Sequence, residues 1–120
     1  MEFIRQHIEE FSIISDSDWE YFSSKLVHRI FKKHTVFLKY GAVENHISFI
    51  DKGVVRLYIP KELKEKEVTF GFSFKNQFIS AYDSFLTRRA SLYELETLSD
   101  TQMYSISYTD LQDVYQHTQF

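Results

Sequence analysis

The sequence predicts a mainly β domain, a sandwich or barrel-like roll with short helices at both ends. Three observations support this fold class. Seven or eight short β-prone runs follow one another between Leu26 and Ser107. Helical patterns precede and follow these runs. The chain is also rich in aromatic residues, with 12 Phe and 8 Tyr, and large rings suit the half-buried surface of a sheet.

Two helical patterns open the chain. Apolar residues recur at helical spacing from Phe3 to Phe11, which predicts a short amphipathic helix over residues 2–11. Ser17 and Glu20 have the spacing of a capping box, in which a serine hydroxyl and a Glu carboxylate accept hydrogen bonds from backbone N–H groups at a helix start. The sequence therefore predicts that a second helix starts at Ser17.

The clearest strand signal is a hairpin. Residues 46–50 and 54–59 are β-prone, and Asp51-Lys52-Gly53 between them is a tight turn in which glycine can adopt positive φ. Alternating phenylalanines predict a further strand over residues 68–74 with one strongly buried face. Other short strands are predicted at residues 27–32, 35–39, 76–81, 91–98 and 102–106, with a short helix at residues 82–87. Ser107, followed three residues later by Asp110, is predicted to cap a terminal helix.

The composition excludes several classes of site. There is no cysteine, so disulfides, thiolate metal sites, iron–sulfur clusters and cysteine nucleophiles are ruled out. No apolar run approaches the roughly 20 residues that span a bilayer, and the N-terminus lacks the basic start and apolar block of a signal peptide. A net charge of −3 gives no general attraction to nucleic acid or anionic membrane. We expect a cytoplasmic protein of one domain, residues 1–120, without membrane contact.

Catalytic and metal-binding patterns are weak. The five histidines include no H-x-H pair, which a cupin-type metal site needs, and surface or partly buried histidines explain them better. No G-x-S-x-G elbow, P-loop or Rossmann glycine fingerprint is present. Glu94 and Glu96 alternate along one predicted strand and are expected to form its solvated face. We predict no catalytic residue, no metal ligand and no cofactor, and hence no enzyme.

The order of these elements resembles the sensor domain of the CRP/FNR superfamily of transcription regulators, also called the cyclic nucleotide-binding domain. The matching phrases are ISFIDKGVVRLYI around the hairpin, EVTFGFSFKNQFI for the next strands, and LSDTQMYSISYTDL for the last strand and helix. The similarity looks closest to the Bacteroidetes-type branch. It implies a double-stranded β-helix, or jelly-roll-like β-roll, with short flanking N-terminal helices and a C-terminal helix, in a cytoplasmic bacterial regulator.

The resemblance places the ligand site in the segment FISAYDSFLTRRASL. In the family, the Glu of a Gly-Glu pair holds the ribose hydroxyl, and an Arg-Ser or Arg-Thr pair ten residues later holds the cyclic phosphate. Here Ser80 and Ala81 stand at the Gly-Glu positions. Ser91 and Leu92 stand at the Arg-Ser positions. A charge-assisted hydrogen bond contributes roughly 1.5–3 kcal/mol, so loss of the Arg and the Glu is expected to weaken a cyclic nucleotide by about two or more powers of ten.

A set of pocket-lining residues follows from the same comparison. Arg89 is the least favoured candidate. It is two residues before Ser91, so both would lie on the same face of a strand, and its side chain would replace the missing arginine. The preferred interpretation of Arg88-Arg89 is an exposed, solvated loop. The residues expected to line the pocket are Ile79, Ser80, Ala81, Tyr82, Ser91 and Leu92, with Arg89.

Three functional hypotheses stay open. The first is a regulatory small-molecule sensor domain of a CRP/FNR-like bacterial transcription regulator that does not bind cyclic AMP or cyclic GMP in the usual mode. The second is a degenerate, ligand-free structural or dimerisation module, because side chains can fill a small roll completely. A cupin-like metalloenzyme is the least favoured.

The resemblance also implies partners. An unidentified small-molecule effector would bind the roll. DNA would be bound only through a winged helix-turn-helix module C-terminal to residue 120, and the full-length regulator would be a homodimer. The last residues, YQHTQF, resemble the connection into the long helix that precedes such a module.

Overall fold

The computed structural model describes residues 1–120 and contains eight strands in two sheets. The strands are β1 (Val27–Phe31), β2 (Val36–Leu38), β3 (His46–Lys52), β4 (Val55–Ile59), β5 (Val68–Ser73), β6 (Phe78–Ile79), β7 (Glu94–Thr97) and β8 (Thr101–Ser107). The helices are α1 (Glu2–Glu9), α2 (Asp16–Ser24), α3 (Tyr82–Thr87) and α4 (Tyr108–His117), and Lys64–Lys66 forms a 3₁₀ turn. The predicted mainly β class with short flanking helices is confirmed.

The strands form two layers. Sheet A has the order β1-β8-β3-β6, and sheet B has the order β2-β7-β4-β5. Every pairing is antiparallel. The chain moves between the sheets six times from β1 to β8, so neighbours in a sheet are mostly distant in sequence. This is the arrangement of a jelly-roll-like β-roll.

Two hydrophobic clusters hold the layers together. Inside the roll, seven buried residues from both sheets pack against one another: Leu38, Ile50, Val55, Ile79, Ala81, Leu95 and Met103. The second cluster joins the helices to the outer face of sheet A and contains Ile4, Phe22, Phe49, Phe85, Ile106, Leu111 and Val114. Burial of these apolar side chains supplies the main stabilising free energy of the fold.

Local signals place most element ends, with one correction. Gly53 in the β3–β4 turn has a φ of 108°, as its turn position requires. Ser107 caps α4, since its Oγ accepts a hydrogen bond from the Asp110 N–H at 3.1 Å. The predicted cap at Ser17 is wrong. Ser15 caps α2 instead, accepting from the Asp18 N–H at 3.1 Å, because the helix begins one residue before Ser17, at Asp16.

The phenylalanines of β5 are less buried than the sequence predicts. Phe70, Phe72 and Phe74 are each about half exposed, because β5 is the outer strand of sheet B. A register shift between β4 and β5 leaves Phe70 without a partner on β4, and its ring packs edge-on against Tyr93 at 5.0 Å. The prediction of a strongly buried face is therefore wrong. None of the helices has the length and apolar character needed to cross a bilayer.

Candidate ligand-binding site

The predicted ligand segment runs from β6 through α3 to the start of β7. Pairing of Phe78 and Ile79 with β3 fixes where α3 starts. Phe85 anchors α3, since it is 1% exposed and lies in the outer cluster. The helix ends at Thr87, and the capping residue that follows, Arg88, has a φ of 61° in the left-handed region. This backbone conformation is uncommon for a residue other than glycine, so tertiary contacts must hold it.

Arg88 makes those contacts with its own side chain. Its Nη1 donates to the carbonyl oxygens of Glu44 at 3.0 Å and Phe85 at 2.9 Å. Its Nη2 donates to Asn45 Oδ1 at 3.1 Å. The guanidinium also lies 4.0 Å from the ring centroid of Tyr108, the first residue of α4. The expectation that Arg88 is a solvated loop charge is wrong, because this side chain connects α3 to α4.

Glu44 is a residue of the site that sequence reasoning missed. Its side chain is buried, with 6% relative exposure. Oε2 accepts a hydrogen bond from the Ala81 N–H at 3.2 Å, and Oε1 accepts from the His46 N–H at 3.0 Å. Burial raises the pKa of Glu44, and the backbone hydrogen bonds oppose that rise. No local motif marks this residue, because its partner Ala81 is 37 positions away.

Four of the predicted pocket residues are closed off from solvent. Ile79 and Ala81 belong to the cluster inside the roll. Ser80 is 3% exposed, and its Oγ donates to the His46 carbonyl oxygen at 2.7 Å. Ser91 is 2% exposed, and its Oγ donates to the Tyr93 carbonyl oxygen at 2.8 Å. These hydroxyls therefore bind the protein's own backbone.

The other three predicted residues are exposed. Arg89 and Leu92 line a pocket of about 440 Å³, which we call the outer pocket and whose lining also includes the almost fully buried Ser91. Tyr82 lies apart from it and lines a wholly apolar cleft of about 280 Å³ between the helices and sheet A. The residues of the outer pocket are Asp83, Ser84, Thr87, Arg89, Ala90, Ser91, Leu92 and Tyr93.

Both acidic and basic side chains lie in and around the outer pocket. Burial raises the pKa of Tyr93, and the carboxylates of Asp83 and Glu44 raise it further. Burial also raises the pKa of Tyr82, with smaller contributions from Tyr93 and Glu44. Neither Asp83 nor Arg89 takes part in an ion pair. The outer pocket is thus lined by one cationic side chain, Arg89, and one carboxylate, Asp83, which do not pair with each other.

Glu94 and Glu96 on β7 are paired rather than simply solvated. Glu96 accepts from Arg56 Nε at 2.9 Å, and Glu94 accepts from the Tyr58 hydroxyl at 2.8 Å. The Arg56 guanidinium also stacks on the Tyr58 ring at 3.7 Å. These carboxylates therefore belong to a cross-strand network. No group of three or more His, Cys, Asp or Glu side chains is arranged to hold a metal ion.

Comparison with known families agrees with this geometry. The cyclic nucleotide-binding domain family matches residues 28–118, which covers α4 and all of the roll except Val27, its first residue. The chain belongs to this family. None of the curated protein sequences matches the chain. The closer assignment to the Bacteroidetes-type branch stays a prediction.

Solved structures show the same fold at low identity. The catabolite activator protein of Thermus thermophilus is 14% identical, with a TM-score of 0.75 over 89% of this chain and 49% of that chain. The N-terminal domain of a transcriptional regulator from Streptomyces coelicolor is 12% identical, with a TM-score of 0.75 over 89% of this chain and 73% of that chain. The c-di-GMP responsive global regulator CLP of Xanthomonas campestris is 19% identical, with a TM-score of 0.69 over 85% of this chain and 49% of that chain. The chain therefore spans about half of the first of these proteins.

Proposed function

We propose that this chain is the effector-sensing domain of a CRP/FNR-like bacterial regulator that does not hold a cyclic nucleotide in the usual mode. One observation carries the proposal. The polar groups of the segment that would meet a cyclic phosphate already bind the protein itself. A ligand phosphate would have to displace these internal hydrogen bonds, and each one lost leaves a buried group that costs about 1–3 kcal/mol.

The start of α3 shows this most clearly. The Ala81 N–H, which precedes the first turn of the helix, is bonded to the Glu44 carboxylate. Ser84 is also committed, since its Oγ accepts from the Glu44 N–H at 2.9 Å and donates to the Arg89 carbonyl oxygen at 2.6 Å. An internal carboxylate at this place repels an incoming anion, and burial strengthens the repulsion because the local dielectric is low. The arrangement therefore disfavours a phosphate group for two reasons. The hydrogen-bond donors are already occupied, and the Glu44 carboxylate repels the negative charge.

The outer pocket is the place where we expect an effector. Its volume of about 440 Å³ is within the usual range for small-molecule sites. Arg89 and Asp83 supply one charge of each sign, and Leu92 and Tyr93 supply apolar contact. Ile79, Ser80 and Ala81 are buried and do not line this pocket, and Tyr82 lines the separate apolar cleft. The fold alone does not fix the ligand, since the similar structure from Xanthomonas campestris belongs to a c-di-GMP responsive regulator.

A route from the pocket to α4 supports a regulatory role. Arg88 joins the end of α3 to Tyr108, and the Phe85 ring meets the Tyr108 ring edge-on at 5.4 Å. A ligand that prefers one position of α3 would therefore shift the population of α4 positions. In the full-length regulator, α4 would pass the change to a dimer helix and a DNA-binding module, in a cytoplasmic homodimer.

A thermal-shift assay against a panel of small molecules tests the proposal. We expect no rise in melting temperature with cyclic AMP or cyclic GMP. We expect a concentration-dependent rise with at least one small acid, amino acid or other nucleotide. That rise should be lost in Arg89→Gln or Leu92→Asp, whereas Glu62→Gln in the exposed hairpin tip should keep it. Tight, saturable binding of cyclic AMP would overturn the proposal.

The packed interior favours a second candidate, a ligand-free structural or dimerisation module. The cluster inside the roll extends from Leu38 to Met103, and Phe31, Phe37, Leu57 and Tyr93 pack against it. This leaves little of the interior open to a ligand. Under this alternative, no member of the panel raises the melting temperature. The full-length protein also dimerises equally well with and without an added small-molecule extract of cells.

A further inference from the structure

Arg29 on β1 faces the interior of the roll, where an arginine is unexpected. It lies directly opposite Met103 on β8, and directly opposite residues of an antiparallel pair share a face. Met103 is fully buried in the cluster between the sheets. The guanidinium carbon of Arg29 is 4.9 Å from the centroid of the Phe31 ring, which packs against that cluster. The side chain is half-buried, and burial lowers its pKa.

No group of the protein forms a hydrogen bond or an ion pair with the Arg29 guanidinium. The ion pairs of the chain use Arg5, His7, Lys25, Arg56 and His117 as their cations. Glu44 is the one carboxylate that raises the pKa of Arg29, yet its two oxygens accept from the N–H groups of Ala81 and His46. No buried side-chain nitrogen lacks a partner. The free donors of Arg29 therefore open toward solvent rather than into packed protein.

Arg29 lines a pocket of about 390 Å³ between β1, β2 and the loop before β3, which we call the mouth pocket. Lys39, Asn45 and His46 add a second cation and further polar groups. Half of the lining is hydrophobic. The lining residues are Arg29, Val36, Phe37, Leu38, Lys39, Ala42, Val43, Glu44, Asn45 and His46. The mouth pocket shares no residue with the outer pocket.

We propose that the mouth pocket binds a small organic acid, with Arg29 holding the carboxylate and the hydrophobic part of the lining holding the acid's carbon skeleton. A planar guanidinium matches a carboxylate with two parallel hydrogen bonds. A monoanion fits better than a phosphate dianion, because the buried Glu44 carboxylate on the same lining repels a second negative charge. A metal cation is disfavoured, since the free charges here are positive.

Benzoate is a suitable probe, because it joins a carboxylate to a compact apolar ring, and benzamide is its neutral counterpart of similar shape. Isothermal titration of the whole 120-residue chain should show saturable benzoate binding and at least tenfold weaker benzamide binding. Arg29→Gln should weaken benzoate binding about tenfold or more. Arg89→Gln, which changes the outer pocket, should leave it unchanged. This control separates the mouth pocket from the effector site proposed above.

Three results would overturn the proposal. One is the absence of benzoate binding up to its solubility limit. Another is equal binding of benzoate and benzamide, and a third is unchanged binding in Arg29→Gln. Should Arg29→Gln fail to fold, Arg29→Met replaces it, since an apolar chain suits this half-buried place. Amide chemical shifts of the wild-type protein give a second measurement: changes at residues 36–46 support the site, and changes confined to residues 83–93 contradict it.

Discussion

The α3 segment, which runs from β6 through α3 to the start of β7, contacts Glu44 through Ala81, and Glu44 also lines the mouth pocket. The two regions nevertheless use their polar groups in opposite ways. In the α3 segment, the hydroxyls of Ser80, Ser84 and Ser91 bind backbone carbonyl groups, and the Ala81 N–H binds a carboxylate. At the mouth pocket, the Arg29 guanidinium has no hydrogen-bond or ion-pair partner on the chain. The hydroxyl groups of the first region are satisfied without a ligand, whereas the second region leaves a half-buried charge unpaired.

This difference shows where binding capacity is found in a fold of this kind. A group that already has a good hydrogen bond gains little from a ligand, because one bond is exchanged for another. A half-buried charge without a partner gains the full interaction. The hydroxyl groups of the α3 segment therefore serve the internal hydrogen-bond network, and a half-buried, unpaired cation lies elsewhere in the same roll.

Of the substitutions that test this difference, Glu44→Ala should change the free energy of unfolding most. It removes the acceptor of two backbone N–H groups, those of Ala81 and His46. Two unsatisfied donors, one buried and one part-buried, should lower the free energy of unfolding by about 3 kcal/mol. Urea denaturation followed by circular dichroism measures this. Glu62→Ala in the exposed hairpin tip is the control and should change stability by less than about 0.5 kcal/mol. Equal effects of the two substitutions would mean that Glu44 does not hold the α3 segment.

Arg88→Ala should have the next largest effect. It removes three hydrogen bonds and the contact with Tyr108, and it leaves a non-glycine residue at positive φ. We expect a loss of about 2 kcal/mol in the free energy of unfolding. Its neighbour provides a matched control, because the Arg89 side chain forms no ion pair. Arg89→Ala should change stability by less than about 0.5 kcal/mol, and a loss as large as that of Arg88→Ala would contradict the assignment.

Arg29→Met should stabilise the free protein while it removes the proposed acid site. An unpaired, half-buried charge opposes folding, and an apolar chain of similar length avoids that cost. A gain of about 0.5–1 kcal/mol is expected, as is common when a functional group is replaced by a better-packed one. Thermal denaturation without ligand measures it. A clear loss of stability would show that Arg29 has a structural partner and would weaken the contrast between the two regions.

The smallest effect concerns pH. Burial raises the pKa of Glu44 in the folded protein above its value in the unfolded chain. The folded protein therefore binds a proton more readily than the unfolded chain, and stability falls as pH rises between the two pKa values. Relative to Glu44→Gln, which carries no titrating group, the wild-type protein should be more stable below the unfolded pKa than at neutral pH. Urea denaturation of both proteins at pH 4 and pH 7 tests this, and the opposite trend would mean that the backbone hydrogen bonds outweigh burial.

Much of the fold could be predicted because its signals are local. The Gly53 turn, the Ser107 cap and the helical pattern of residues 82–87 each depend on residues within a few positions, and the structure confirms all three. The β5 prediction was wrong for a reason that is not local. Alternation shows that Phe70, Phe72 and Phe74 share a face, but only sheet order shows that β5 is an edge strand.

By itself, the sequence determined the order of elements and the β-roll family, and it predicts that Ser91 and Ala81 stand where the family has an Arg and a Glu. Only the tertiary structure decided which distant residues contact those positions. Glu44 meets the Ala81 N–H across 37 residues, and Arg29 reaches the roll interior through pairing of β1 with β8. Hydrogen bonds and burial depend on which distant residues the fold brings together. A pattern of neighbouring residues does not specify these long-range contacts.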